Sequence, residues 1–510
     1  MKKYIIAAGI LGVAMSATAQ SEYDALRFSQ TYQQGTARSA AIGGAFGALG
    51  GDISVTAINP AGMSIYRGAD VCLTPMVLNN TVKSTINGRE DEDSKFTMKF
   101  ASIGIVMGND RGKTTGFTNF AWGVTYNRLN DFSANERLGA FNQSSSMLDS
   151  WQDMANGENP NDLSNFTTGP GYAAGLLNNS TEQGSLSYCT PHDKEWGYGA
   201  QGGYGEYQSR TVTQKGGIGT WDFAISGAYN DMFFFGASLG VQSVNYKYTS
   251  RYHEDDKSNL LPYEYWDFSE KLKINGGGVN LKLGLIVKPV QFIRIGAAFH
   301  TPTVYNLTDK YYTVIKRDFD EVVCKELQSQ YDKDPENSIE PYNTEYKSPN
   351  NSYEYDLVTP MKGILSAAFI VPGYGLVSFD YESVNYGKAK FQNDDFDDDD
   401  FTDQNDAIKA KFQKTNNFRL GLEGLAGPVS IRAGYAMYGN PYKFVSGNKQ
   451  RQILSFGLGL KGSEDFYIDL TATYHIYQTD AVLYEWADRM QMYNYDNRYL
   501  NVLLTVGVRL

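Results

Sequence analysis

Cysteine is nearly absent. Cys72, Cys189 and Cys324 are the only three in 510 residues, an odd number without the paired spacing of a zinc site. That excludes a disulfide framework and leaves a single Cys189 to Cys324 bridge between two loops as an open possibility. Histidine is equally scarce, limited to His192, His253, His300 and His475. Neither a Gly-x-Ser-x-Gly elbow nor a His-Glu-x-x-His helix occurs, so no hydrolytic or metalloenzyme constellation is legible. The chain is expected to be no enzyme and to need neither cofactor nor metal. A basic excess is missing too: the net charge of −12 argues against nucleic acid as a partner. Beyond the first twenty residues no apolar run reaches eighteen, which excludes a bundle of membrane helices.

The first twenty residues have their own character. Lys2 and Lys3 precede an apolar stretch from Ile5 to Met15, and Ala17-Thr18-Ala19 stands before Gln20. This is the pattern of a signal peptide over residues 1–19, cut after Ala19. Gln20 rather than cysteine occupies the cleavage point, so lipidation is not expected. The protein is therefore expected to be secreted across the inner membrane.

What the chain does have is alternation. In the last strand Leu500, Val502, Leu504, Val506, Val508 and Leu510 alternate with Asn501, Leu503, Thr505, Gly507 and Arg509. The same period returns in Leu454 to Leu460, Phe466 to His475, Phe418 to Glu423 and Val429 to Tyr435. Each stretch sets apolar bulk on one side against charge or glycine on the other, as a barrel facing lipid outside and water inside requires. A composition of 14% aromatics, with 37 Tyr and 52 Gly but only 15 Pro, suits many strands joined by turns.

Six tight turns are legible, at Asn109 to Gly112, Tyr229 to Asp231, Lys288-Pro289, Pro372-Gly373, Gly427-Pro428 and Gly462 to Asp465. Seven longer polar excursions alternate with them, at residues 79–94, 130–215, 250–264, 309–352, 387–413, 439–450 and 479–496. The predicted fold is all-β, a closed antiparallel transmembrane β-barrel of about fourteen strands over residues 67–510, with both ends on one side. Residues 20–66 lack alternation. They hold a Gly/Ala-rich run from Gly35 to Gly51 and read as a hatch, a plug packed inside the lumen.

Several polar groups fall on the lumen-facing parity: Arg294, Asp380, Glu382, Arg419, Glu423, Arg432, Asp469 and His475, with His300 beside them. They read as a charge network that holds the plug and lines a wet lumen. In the longest excursion Met147, Leu148, Trp151 and Met154 fall at helical spacing. They form either an external apolar capture groove or a small helix burying its own face. The acidic run Asp394 to Asp400 lacks the spacing of a calcium loop and reads as a solvated outer loop.

The segment Asp52-Ile53-Ser54-Val55-Thr56-Ala57-Ile58-Asn59-Pro60-Ala61-Gly62, behind a Gly/Ala-rich stretch and ahead of fourteen strands, resembles the signature of the FadL/TodX family of outer-membrane transporters. The resemblance implies an outer-membrane barrel that passes hydrophobic compounds, such as long-chain fatty acids or aromatic hydrocarbons, by passive plug-gated diffusion. By the same resemblance Asn59, Pro60, Ala61 and Gly62 lie in the hatch at the floor of the lumen. An inward kink in the third strand opens a lateral exit in that family, and Gly123 is the one evident hinge residue here. The implied partners are a small hydrophobic ligand, outer-membrane lipid and, during insertion, the barrel-assembly machinery. The longest loop follows the third strand, whereas the family's ligand-collecting loops come later. A channel or binding protein for polar solutes, or a surface adhesin barrel, are the competing readings.

Overall fold

A computed structural model describes residues 20–510 other than 33, 181–185, 198–199, 258, 336–338, 394–398, 445–448, 463–464 and 488. The expected signal peptide and Asp394 to Asp398 of the acidic run lie outside the described residues.

Fourteen antiparallel strands follow one another around a closed barrel. They are β1 (Ala69–Ile86), β2 (Arg89–Asp110), β3 (Phe117–Asp131, continued by Ala134–Asn142), β4 (Glu206–Tyr229), β5 (Phe233–Asp255) and β6 (Tyr263–Val290). There follow β7 (Ile293–His300, continued by Val304–Phe319), β8 (Asn351–Val358, continued by Lys362–Val371) and β9 (Gly375–Asn385). The last five are β10 (Lys414–Ala426), β11 (Val429–Tyr438), β12 (Arg451–Lys461), β13 (Phe466–Trp486) and β14 (Arg489–Arg509). Closure comes from β14 pairing with β1, from Asp70 opposite Arg509 to Thr85 opposite Asn494. With the first strand paired to the last the ladder closes on itself, the condition for crossing lipid with strands.

The outward side chains form the apolar band the alternation predicts. Phe223 and Ile225 on β4, Phe456 and Leu458 on β12 and Leu500, Val502 and Leu504 on β14 all point away from the barrel and are exposed, with buried neighbours between them. In water such a surface would aggregate; in a bilayer it is solvated.

The short connections stand where the sequence places them, although β6 runs two residues past Lys288-Pro289's expected start of turn, to Val290. The long excursions need correction. Residues 79–94 are no loop: β1 and β2 meet at Asn87-Gly88, both in the left-handed region. Residues 479–496 are likewise strand almost throughout, since β13 reaches Trp486 and β14 starts at Arg489. β5, β6 and β7 also climb into stretches read as loop. In these upper segments the outward side chains turn polar while the inward ones pack against the cap, so the ladder continues while the apolar outer face stops.

The connection at residues 143–205 builds a folded external cap. Its helix α4 (Met147–Ala155) is started by Ser146, whose hydroxyl accepts from the Leu148 N–H at 3.0 Å. Trp151 and Trp266 are fully buried with ring centroids 5.3 Å apart, and Phe268 lies 5.1 Å from Trp151. The three cysteines are free and buried, so Cys189 and Cys324 are not bridged.

Residues ahead of β1 occupy the lumen. They form three helices, α1 (Glu22–Ser29), α2 (Ala37–Ala41) and α3 (Val55–Ile58), and a 3-10 turn, Pro60–Ile65. Their contacts reach strands on all sides: Ala37 N–H to Thr505 on β14 at 2.7 Å, Thr471 on β13 to Ala37 O at 2.7 Å, Gly47 N–H to Asp380 on β9 at 3.1 Å, and Thr56 to Thr125 on β3 at 2.6 Å. Only a body inside the cylinder can touch so many strands at once. The plug is small-residue-rich for that reason.

Candidate functional site

Asn59 ties plug to wall through its amide. Nδ2 donates to Gly47 O at 2.6 Å and lies 3.3 and 3.4 Å from Leu285 O on β6 and Ala297 O on β7, while Oδ1 accepts from the Ala61 N–H at 3.2 Å. Pro60 opens the 3-10 turn, where its missing N–H costs nothing. Ala61 and Gly62 are buried within that turn. The wall accommodates the motif with Gly284 and Gly236, where a Cβ would stand 1.9 Å from Asn59 Oδ1 and 2.3 Å from the Pro60 carbonyl carbon. The Asn-Pro-Ala-Gly segment is thus a fastener.

The lumen-facing polar groups form two clusters and three single contacts, all buried but the half-buried Arg294. Arg432 on β11 holds Glu423 on β10 and Asp469 on β13, each at 2.5 Å, and Glu423 also grips Arg38 of α2 at 2.9 and 3.0 Å. Arg419 on β10 stands 3.1 Å from Glu382 and 3.7 Å from Asp380, both on β9; Asp380 in turn accepts the Gly47 N–H. Arg294 donates to Leu49 O at 3.3 Å. His475 touches no plug residue; its Nε2 lies 3.1 Å from Thr473 and 3.3 Å from Asn501. His300 Nε2 sits 2.8 Å from Ile58 O. Most of these groups fasten the plug rather than line an open bore. Sequence reading gave the inner parity but missed the plug-side partner Arg38 and the wall residue Asn119, whose amide donates to Ser64 O and Tyr66 O at 2.7 and 2.5 Å. An arginine or asparagine facing a glycine-rich chain gives no pattern of its own.

Two expectations fail. Met147, Leu148 and Trp151 are buried in the core of the cap and only Met154 is exposed, so α4 offers no open capture groove; burying its own apolar face against Trp266 and Phe268 is the lower free-energy use of it. Gly123 is no hinge. It lies in unbroken register between Val106 on β2 and Ala224 on β4, and the register shifts of β3 against β4 fall at Phe117/Asn119 and Arg128/Asn130. A Cβ at Gly123 would stand 2.8 Å from the Val106 side chain and 3.2 Å from Met63 Sδ, so the glycine serves plug packing.

Between α1 and the upper wall lies a cavity of about 280 Å³. Eight tyrosines line it, among them Tyr23, Tyr32, Tyr442, Tyr477 and Tyr499. The Arg451 guanidinium lies 4.0 Å over the Tyr32 ring, 4.3 Å over Tyr477 and 5.2 Å over Tyr499, a cation held by aromatic faces. Burial pushes the Tyr442 phenol up to about 12, and burial likewise raises Tyr23, so these hydroxyls are neutral donors at neutral pH. The cavity therefore presents flat aromatic rings with hydroxyl edges, together with three cations, Arg27, Lys449 and Arg451, and three acids, Asp131, Glu136 and Asp480. Tyr477 and Tyr499 share the inward parity of His475, the signal by which the sequence could have located it.

A second, smaller cavity adjoins His300, Lys282 and Lys362. Beside it both β7 and β8 are interrupted, at Thr301-Pro302-Thr303 and Thr359-Pro360-Met361. Each proline removes one ladder donor, and the two breaks face each other across one seam.

Among solved structures the chain is similar to the toluene transporter TodX of P. putida, at 12% identity and a TM-score of 0.50, over 94% of this chain and 99% of that one. It is similar also to a Pseudomonas aeruginosa FadL homologue, at 10% identity and a TM-score of 0.50, over 93% and 98% of the two chains. It shares their fold. The shared FadL/TodX-type fold thus extends over nearly the whole chain. No family model matches the chain, and no curated protein resembles it in sequence.

Proposed function

We propose that the protein is an outer-membrane channel that passes small hydrophobic molecules by passive, plug-gated diffusion. The observation that carries this reading is the tyrosine-walled cavity enclosed between plug and barrel. Its volume, at the low end for ligand sites, suits a single aromatic ring or a short aliphatic chain. Such a ligand gains roughly 25 cal/mol for each Å² of apolar surface it removes from water, and stacking on tyrosine adds about 0.5–1.5 kcal/mol. In this reading the signal peptide directs export, the barrel-assembly machinery inserts the barrel, and outer-membrane lipid solvates its band.

The way out of the cavity is a shift of the plug. The β7/β8 seam, where paired prolines interrupt the wall, lies beside the smaller cavity instead. The seam replaces Gly123 as the weak point of the wall. The charged inner parity, which favoured polar solutes in the sequence, is for the most part engaged by the plug.

The test compares uptake of radiolabelled toluene and of a medium-chain fatty acid by cells with and without the protein, alongside liposome swelling in arabinose. We expect faster uptake of at least one apolar compound and no swelling. Sugar permeation without any gain in apolar uptake would reverse the conclusion in favour of a polar channel.

A further inference from the structure

The external cap holds a cluster that the transport reading does not use. His192 belongs to the connection between β3 and β4, Glu206 is the first residue of β4, and Glu254 is the penultimate residue of β5. The β4/β5 ladder, with Gln208 opposite Glu254, brings the two glutamates to one height, and the connection folds back to lay His192 over them. His192 Nε2 stands 3.9 Å from Glu206 Oε1 and 4.0 Å from Glu254 Oε2, with all three side chains at most 1% exposed. The three donor atoms lie within 4.8 Å of one another.

Each donor is oriented from behind. His192 Nδ1 is 3.0 Å from Gly203 O, a contact that places the proton on Nδ1 and leaves the Nε2 lone pair facing the carboxylates. The Tyr204 ring stacks on the imidazole at 4.9 Å and fixes its plane. Glu254 is held by Trp266 Nε1–H at 2.8 Å and by the Ser146 hydroxyl. Glu206 Oε2 accepts the Gly205 N–H at 2.6 Å, while Oε1, fully buried and aimed into the cluster, has no hydrogen-bond partner among the described residues. A buried carboxylate oxygen left bare costs on the order of 1–3 kcal/mol or more. Among the described residues no lysine or arginine forms an ion pair with either glutamate, so a dication would balance the two negative charges that burial otherwise penalises.

We propose that His192, Glu206 and Glu254 bind a divalent transition-metal cation of the zinc class, which staples the cap onto the β4/β5 tip. Donors this far apart bracket a point roughly 2.2–2.5 Å from each, a small side-chain adjustment from the 2.0–2.2 Å of zinc bonds to imidazole and carboxylate. The Tyr263 hydroxyl, 3.5 Å from His192 Nε2 and 3.4 Å from Glu254 Oε2, stands at the remaining side. An imidazole donor and so few oxygens disfavour calcium and magnesium.

The test uses untagged mature protein in detergent, stripped with chelator and dialysed against Zn²⁺ or Ca²⁺, with bound metal measured by mass spectrometry. One zinc per chain and no calcium is expected, with slower tryptic cleavage of the cap. Glu206→Gln and His192→Asn should each lose the zinc while the barrel keeps its heat-modifiable gel shift. Co²⁺ supplies a readout that needs no variant: d–d absorption of a low-coordinate site in the unmutated protein supports the proposal, and the spectrum of the aqueous ion overturns it. Zinc retained by both variants also overturns it. So does a metal-free protein whose infrared carboxylic-acid band persists in zinc and vanishes in Glu206→Gln, because the glutamates would then share a proton instead.

Discussion

Arg432→Met is expected to destabilise the folded barrel by about 3–5 kcal/mol, the usual cost of leaving buried carboxylates without their cation. Arg432 is the common partner of Glu423 and Asp469, and all three side chains are about 6% exposed. Methionine fills most of the space but leaves Asp469 with no ion-pair partner among the described residues. Glu423 retains only Arg38, so strain passes directly to the plug. The loss is read from the urea midpoint of the heat-modifiable form. Adding Asp469→Asn to the same chain should recover part of it, because neighbouring groups in one network are not additive. A loss under 1 kcal/mol would mean that water reaches this cluster and the plug is not sealed there.

The second large effect comes from one missing methyl group. Gly434 on β11 faces inward, and a Cβ there would stand 2.2 Å from Gly43 N, 2.4 Å from the Ile42 carbonyl carbon and 2.8 Å from Ala41 O. These are backbone atoms and cannot rotate away. Gly43 and Gly44 both sit in the left-handed region, at φ of 66° and 73°, so the plug chain has no easy alternative path at that point. Gly434→Ala is therefore expected to push the plug off the wall, costing about 1–3 kcal/mol and opening the lumen enough for arabinose to swell liposomes. Gly424→Ala on the neighbouring strand, where a Cβ meets nothing within 4 Å, should behave as the unmutated protein. Equal sugar tightness in both variants would place the plug elsewhere.

The parts of this structure legible in the sequence are those that lipid imposes. Leu500 to Val508 alternate because one face meets hydrocarbon, and the strand is where the pattern puts it. Residues 79–94 and 479–496 carry no such pattern: Ile86, Leu483, Tyr484 and Tyr493 pack inward against the cap while their outward neighbours are polar or mixed, so the residues read as loop. The plug was legible from the small residues of Gly35 to Gly51, and Glu423, Arg432 and Asp469 from parity. Their hold on the plug was read from that parity too, but the plug-side partner was not, since Arg38 lies 385 positions from Glu423. Met147, Leu148 and Trp151 show the opposite limit: helical spacing marks an apolar face but not what covers it. The tyrosine cavity needs residues of α1, β13 and β14 at once; inward parity marks Tyr477 and Tyr499 but not the α1 residues that face them.

The most direct test of plug-gated passage locks the plug to the wall. Thr56 of α3 and Thr125 of β3 touch through their hydroxyls at 2.6 Å, within reach of a disulfide when both are replaced by cysteine. In Thr56→Cys/Thr125→Cys, uptake of labelled apolar compound should fall to the level of cells lacking the protein once the bond has formed, and return on reduction. Uptake that continues at the unmutated rate through a fully cross-linked protein would contradict the account.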